Sequence, residues 1–164
     1  MRSLLPIAVA AGLAVAPALA DQDGPMRKPG SFSARAEGAV TAPITGDATI
    51  FLRKDGTQHL FLLANSDQMM ALKVMISVEI VWPTHASASH YQIPDGTPKS
   101  PTTAMLQWER LDTRERHATV ATGSVDLSGD DPMSGRFELT AKDGAQTLKL
   151  SGTFKDAPVM TDLN

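Results

Sequence analysis

Eleven consecutive residues, from Leu72 to Trp82, alternate between two kinds of side chain. The even-numbered residues of this segment are all apolar, whereas the odd-numbered residues include Lys73 and Glu79. A period of two is the repeat of a β-strand, because successive side chains of a strand point to opposite faces. A helix would scatter Lys73 and Glu79 among the apolar residues. The segment therefore predicts a strand with one buried face.

The same period recurs along the rest of the chain. Further strands are predicted over residues 32–40, 48–53, 58–63, 105–111, 117–127, 136–141 and 148–154. The turn sequences KDGT at 54–57 and KDGA at 142–145 separate two pairs of these strands. Asp-Gly between two apolar runs predicts a β-hairpin with positive φ at both central turn residues. A bulge or bend is expected near Gly123, because glycine inside a strand often marks one.

Eight or nine strands without an amphipathic helix predict an all-β fold. We expect an antiparallel β-sandwich, with a small β-barrel as the alternative. The length of 164 residues suits one domain, which we place at residues 31–155. A flexible lead-in at 21–30 precedes this domain, and a short tail at 156–164 follows it.

The first 20 residues carry a separate signal. Arg2 is their single charge, an apolar run follows, and Ala18 and Ala20 are small residues at the positions that a signal peptidase recognises. We therefore predict a signal peptide at 1–20, and a bacterial protein that is periplasmic or secreted. The apolar run is shorter than the roughly 20 residues that a membrane span needs, so no transmembrane segment is expected after cleavage.

Composition excludes several classes of function. The absence of cysteine excludes disulfides, thiolate metal sites and cysteine nucleophiles. The 15 basic and 18 acidic residues give a net charge of -3, which provides no basic surface for nucleic acid. Neither a G-x-S-x-G elbow nor a glycine-rich phosphate loop is present in the sequence. We therefore predict that the protein is not an enzyme.

The loop at 83–103 holds the first candidate site. His85 and His90 lie five residues apart in it, and with Asp95 they could ligate copper or zinc or provide an acid–base pair. A solvated connection between two strands explains the same residues equally simply. We predict no resident cofactor, and a copper or zinc site at His85 and His90 is the alternative.

Two other groups of possible metal ligands have ordinary structural explanations. Met69, Met70 and Met75 offer soft ligands for Cu(I), but methionine also fills irregular gaps in a core. The carboxylates of Asp126, Asp130 and Asp131 could bind Ca²⁺, but the surrounding Ser, Gly and Pro are typical of a β-turn. In both groups we favour the structural interpretation.

Trp82 and Trp108 are the two tryptophans of the chain. If both faced the same side, they could flank the mouth of a pocket. Ordinary packing in a β core is the interpretation that we favour, because large aromatic side chains dominate such cores.

Three segments in the last third of the chain resemble a family. The segments GSVDL at 123–127, GRFEL at 135–139 and LSGTF at 150–154 are similar to successive strands of small exported bacterial β-sandwich proteins of uncharacterised function. The resemblance implies the fold and no activity. The signal peptide, the β pattern and the missing catalytic motifs favour a non-enzymatic binding or envelope-associated module. Its partner would be a protein or a small molecule, and a periplasmic copper- or zinc-binding protein is the alternative.

Overall fold

A computed structural model describes residues 27–84, 89–94 and 101–161. The predicted signal peptide at 1–20 lies outside these residues, as do His85 and Asp95. The strands are β1 (Gly30–Gly38), β2 (Ala42–Leu52), β3 (Thr57–Ala64), β4 (Val74–Pro83), β5 (His90–Ile93), β6 (Thr103–Arg110), β7 (Arg116–Ser128), β8 (Met133–Asp143), β9 (Gln146–Ala157) and β10 (Val159–Thr161). The helix α1 (Ser66–Leu72) lies between β3 and β4.

Eight of the strands form a closed antiparallel barrel. Their order is β1, β9, β8, β7, β6, β4, β3 and β2, and β2 pairs again with β1 to close the sheet. The all-β prediction is therefore confirmed. Closure agrees with the alternative of a small barrel, and the sandwich is not confirmed, because hydrogen bonds connect these strands into one sheet.

Two short strands are added at one end of this barrel. β5 pairs with the second half of β7, where β6 has ended, and it lies within the loop predicted at 83–103. β10 pairs in parallel with the end of β2, within the tail predicted at 156–164. β5 therefore extends the barrel wall along the part of β7 that lies beyond β6. β10 extends it along the part of β2 that lies beyond β1. We call this end of the barrel the mouth.

The interior of the barrel is packed with apolar side chains from every strand. The even-numbered residues of β4 from Val74 to Trp82 are buried, which confirms the buried face predicted from the alternation. Glycines leave room for two phenylalanine rings. A Cβ at Gly46 would lie 2.6 Å from Phe32 Cε1, and a Cβ at Gly135 would lie 2.6 Å from Phe154 Cε1.

Local structure departs from the sequence prediction at the start of β4. Leu72 ends α1, and Lys73 adopts the left-handed conformation with φ of 53° before the strand begins at Val74. The predicted strand therefore began two residues too early, and a short helix was missed. With seven residues and none of them buried, α1 lacks the apolar stripe that a sequence pattern detects.

The backbone contains both predicted hairpins, and its register shift lies away from Gly123. Both hairpins are present, but within each turn only the glycine, Gly56 or Gly144, has positive φ. Gly123 has φ of 146°, while the pairing of β7 with β8 continues past it without a slip. The register shift occurs in β8, between Met133 and Gly135.

Candidate functional site

The mouth of the barrel contains a cavity of about 530 Å³, which we call the mouth cavity. It lies where β3 and β8 begin and where β4 and β7 end. Its lining residues are Gln58, Trp82, Thr84, Ser89, Tyr91, Leu127, Ser128, Gly129, Asp130 and Met133. This volume falls within the range of small-molecule sites in proteins.

Gln58 is the most unusual residue of this lining. It occupies an inward position of β3, in line with the buried Leu60 and Leu62, and its exposed fraction is only 8%. The indole N–H of Trp82 donates to Gln58 Oε1 over 2.7 Å. Because an indole nitrogen can only donate, this contact fixes which end of the amide is the oxygen.

The amide nitrogen of Gln58 is left without a hydrogen bond to any residue that the structure describes. Fully enclosed side-chain nitrogens and oxygens in the described ranges all have partners. The Nε2 group of Gln58 is therefore in contact with the open space of the mouth cavity. It offers a hydrogen-bond donor to a ligand in the cavity, beside the ring of Trp82.

Two aromatic and two aliphatic side chains also line the cavity, together with polar residues. The rings of Trp82 and Tyr91 lie 6.4 Å apart between centroids, with 35° between their planes. Both residues are buried, and burial raises the pKa of the Tyr91 hydroxyl. Leu127 and Met133, which pack against the core, also line the cavity.

The rim of the mouth cavity carries negative charge. Asp130 lines the cavity, and no ion pair joins it to any residue in the described ranges. The next residue, Asp131, pairs with Arg27 over 2.7 Å, and its other oxygen accepts from the backbone N–H of Val159. The Arg27 guanidinium lowers the pKa of Asp131, so this carboxylate is charged and balanced. Asp130 is the unbalanced charge at the rim.

The predicted metal ligands are not brought together in the described part of the chain. His85 lies outside it, and both ring nitrogens of His90 already have partners. Gln92 Nε2 donates to His90 Nε2, and His90 Nδ1 donates to Asp126 Oδ1. Copper or zinc would have to displace one of these hydrogen bonds to bind His90. No group of three His, Cys, Asp or Glu residues suited to a metal ion occurs in the described ranges.

The three aspartates considered for Ca²⁺ face different partners. Asp126 accepts from His90 and from the guanidinium of Arg136, at 2.9 Å from Nη2. These two groups, His90 first, lower the pKa of Asp126. Asp131 pairs with Arg27, and Asp130 stays at the cavity rim. Ion pairing across the strands, rather than a shared cation, accounts for Asp126 and Asp131.

The three methionines considered as copper ligands lie in different environments. Met69 packs against the core from α1, whereas Met70 is exposed and Met75 lies on the outward face of β4.

Both tryptophans are buried, but Trp108 pairs with Ile76, six residues along β4 from Trp82. Six residues of a strand span about 20 Å. The idea that the two tryptophans flank one pocket is wrong, because only Trp82 lines the mouth cavity.

Other histidines form surface networks away from the mouth cavity. His59 Nδ1 lies 2.8 Å from Glu79 Oε1, on the outer face of the barrel. His117 stacks on Trp108, with 4.8 Å between ring centroids, and its Nδ1 lies 2.8 Å from Asp143 Oδ2. The His117 contacts lie at the end of the barrel opposite the mouth, where the imidazole ring covers one face of the buried Trp108 indole.

Grooves also occur on the outer wall. One of about 530 Å³ runs across β7, β8 and β9, and a smaller one of about 160 Å³ lies beside His90. Both are lined mainly by exposed polar side chains, several of which are paired to one another, such as Arg35 with Glu37. The mouth cavity differs because it combines buried aromatic rings with an amide donor that opens to the cavity and has no partner among the described residues.

Comparison of the chain with models of protein families, with curated proteins and with solved structures found no match. The helical part of the described chain is not long and apolar enough to cross a membrane.

Sequence reasoning identified Trp82 but missed Gln58, Tyr91 and Asp130 as parts of one site. One signal for Gln58 was available. Gln58 shares its parity with Leu60 and Leu62, so a polar side chain at this position had to point into the barrel. Tyr91 could not be placed from sequence, because β5 is only four residues long.

Proposed function

We propose that the protein is a non-enzymatic binding module that takes a small ligand into the mouth cavity. The observation that carries this proposal is the Nε2 group of Gln58, which opens to the cavity and has no hydrogen-bond partner among the described residues, although the residue is only 8% exposed. A ligand that accepts from this donor would gain a hydrogen bond of about 0.5–1.5 kcal/mol.

The packing of the barrel supports a ligand of limited size. Below the mouth, Leu60, Ile80 and Phe137 are fully buried and fill the interior, as is usual for a barrel of eight strands. A ligand would therefore enter only the mouth, where about 530 Å³ is open. Trp82 and Tyr91 would contact its apolar part, and Gln58 would fix its orientation.

The chemistry of the lining supports binding rather than catalysis. Among the described lining residues, Asp130 and Tyr91 are the titratable ones, and burial raises the pKa of the Tyr91 hydroxyl. General acid–base catalysis at neutral pH uses groups that gain and lose a proton near that pH. We therefore propose that the site holds its ligand unchanged.

We place this activity in the periplasm or outside the cell. This part of the proposal rests on the apolar segment and small residues at 1–20 and on the absence of cysteine. A chain without disulfides depends on its core in an oxidising compartment, and the closed barrel provides one.

The test uses 2-acetamidonaphthalene, which has a flat apolar body and one amide carbonyl. A probe of about 14 non-hydrogen atoms at about 0.3 kcal/mol per atom binds in roughly the millimolar range. NMR of the ¹⁵N-labelled protein follows the two indole N–H signals during titration. We expect the Trp82 signal to move with saturation, while the Trp108 signal, about 20 Å away, stays in place.

Two matched variants locate the binding. Ser128→Phe narrows the mouth cavity, and Ser151→Phe places the same ring on the outer face of β9. We expect the first to abolish the shift of the Trp82 signal and the second to leave it unchanged. A titration in which Trp82 does not respond, or responds equally in both variants, would overturn the proposed function.

A further inference from the structure

The donor of Gln58 specifies one chemical feature of the ligand. Because Gln58 Oε1 is occupied by the Trp82 indole, only Nε2 is available, and it requires an acceptor. A neutral carbonyl satisfies this group without bringing a charge into a site where the exposed fraction of Gln58 is 8%. The inner end of the ligand therefore carries a neutral acceptor.

The rim specifies a second feature through its charge. Asp130 lines the mouth cavity without an ion pair in the described ranges, whereas the neighbouring Asp131 is balanced by Arg27. No lysine or arginine is among the described lining residues. The field at the mouth therefore attracts a cation and opposes an anion.

The two features lie in one cavity, and two aromatic and two aliphatic side chains line it with them. Trp82 and Tyr91 stand beside Gln58, and Leu127 and Met133 connect this aromatic pair to the segment that holds Asp130. A ligand that contacts all of these groups has a flat apolar body between two polar ends. Phosphates and carboxylates would meet Asp130 without any compensating basic side chain.

We infer that the mouth cavity binds amphipathic amines: compounds with a flat apolar body, a neutral carbonyl for Gln58 and a cationic group for Asp130. This inference rests on the proposed function and deepens it by naming the ligand class. Anionic compounds of the same shape bind most weakly, because their charge opposes that of Asp130. The same arrangement allows neutral compounds to bind with intermediate affinity.

Three probes with the same naphthyl-amide body test the selection by charge. They are 2-acetamido-6-(aminomethyl)naphthalene, which is a cation, 2-acetamidonaphthalene, which is neutral, and 6-acetamido-2-naphthoate, which is an anion. We expect the dissociation constants, measured from the Trp82 indole signal, to rise in that order. An effect of about fivefold to tenfold for each unit of charge is reasonable for a carboxylate at a solvated rim.

Variants separate the role of Asp130 from the general charge of the protein. Asp130→Asn should bring the dissociation constant of the cationic probe close to that of the neutral probe, because it removes the carboxylate that the cation meets. Asp47→Asn removes the same charge from the outward face of β2 and should keep the wild-type order. High salt should reduce the selection in the wild type, because ions screen exposed charges.

The possible failures are distinguishable. If all three probes shift the Trp82 signal with equal affinity, selection by charge is wrong, while ligand binding in the mouth cavity stands. The same conclusion follows if Asp130→Asn keeps the wild-type order. If none of the three probes shifts that signal, both the inference and the proposed function are overturned.

Discussion

The side-chain oxygen of Gln58 accepts a hydrogen bond from the indole N–H of Trp82 over 2.7 Å, inside the barrel beside the mouth cavity. Replacing Gln58 with leucine would leave a buried indole N–H without an acceptor. We expect the free energy of unfolding to fall by about 1–3 kcal/mol. Urea denaturation of Gln58→Leu measures this loss.

A double-mutant cycle isolates the hydrogen bond from the change in packing. Gln58→Leu, Trp82→Phe and the double variant should give a coupling free energy of about 0.5–1.5 kcal/mol. A coupling near zero would mean that the contact between Gln58 and Trp82 adds nothing to stability.

The glycine at 135 is expected to be essential for packing of the Phe154 ring. A Cβ there would lie 2.3 Å from the backbone oxygen of Asp126 and 2.6 Å from Phe154 Cε1, so Gly135→Ala forces the backbone to shift. We expect a loss of about 1–3 kcal/mol in the free energy of unfolding. Gly56→Ala is the control, because nothing lies within 4 Å of a Cβ at Gly56 and only its positive φ opposes alanine. Equal losses in the two variants would contradict the packing explanation.

Much of the fold could be predicted because the alternation of apolar and polar residues along a strand reflects which of its side chains are buried. The inward face of β4 and both hairpins could be predicted in this way, from Val74 to Trp82 and from the turns at 54–57 and 142–145. Closure could not be predicted, because a sandwich and a barrel bury the same alternate residues. The barrel differs from a sandwich because β1 pairs with β2 on one side and with β9 on the other. The pairing of β1 with β9 is a contact between the two ends of the chain.

The candidate site was less predictable for a related reason. Its parts lie in segments separated along the chain, near Gln58, Tyr91 and Asp130, and only barrel closure brings them together. His90 was visible as a chemically capable side chain, but its pairing with Asp126 depends on the register of β5 against β7. A strand of four residues is too short to show its register in sequence.

Asp126 should contribute to stability in a pH-dependent way. The hydrogen bond from His90, followed by that from Arg136, lowers the pKa of Asp126 below its ordinary value of 3.8. A carboxyl group with a lowered pKa in the folded chain stabilises it above the unfolded pKa, and this contribution is lost as the pH falls through the folded pKa. The difference in free energy of unfolding between wild type and Asp126→Asn should therefore be present at about pH 5 and shrink towards pH 2.

Urea denaturation at several pH values between these limits measures that difference. His90→Phe should weaken the pH dependence more than Arg136→Gln does, because the hydrogen bond from His90 is the larger cause of the lowered pKa. A wild-type advantage over Asp126→Asn that stays constant down to pH 2 would refute this account of Asp126.

His117 should shield Trp108 at the closed end of the barrel. Its ring stacks on the indole at 4.8 Å between centroids, with 16° between the ring planes. In a Trp82→Phe background, Trp108 is the single tryptophan, and His117→Ala should increase its quenching by acrylamide. Loss of the stacked pair should also cost about 1 kcal/mol of stability. Unchanged quenching would show that other side chains cover Trp108.

The central claim is that the mouth cavity is the ligand site, and intermolecular NOEs test it most directly. With 2-acetamidonaphthalene bound, we predict NOEs from the naphthyl protons to the methyl groups of Leu127 and Met133 and to the ring of Trp82. None should reach the outward methyl groups of Leu63 or Val120, which are exposed on the barrel wall. NOEs confined to that wall, or the absence of any NOE to the mouth cavity at a saturating probe concentration, would contradict the claim.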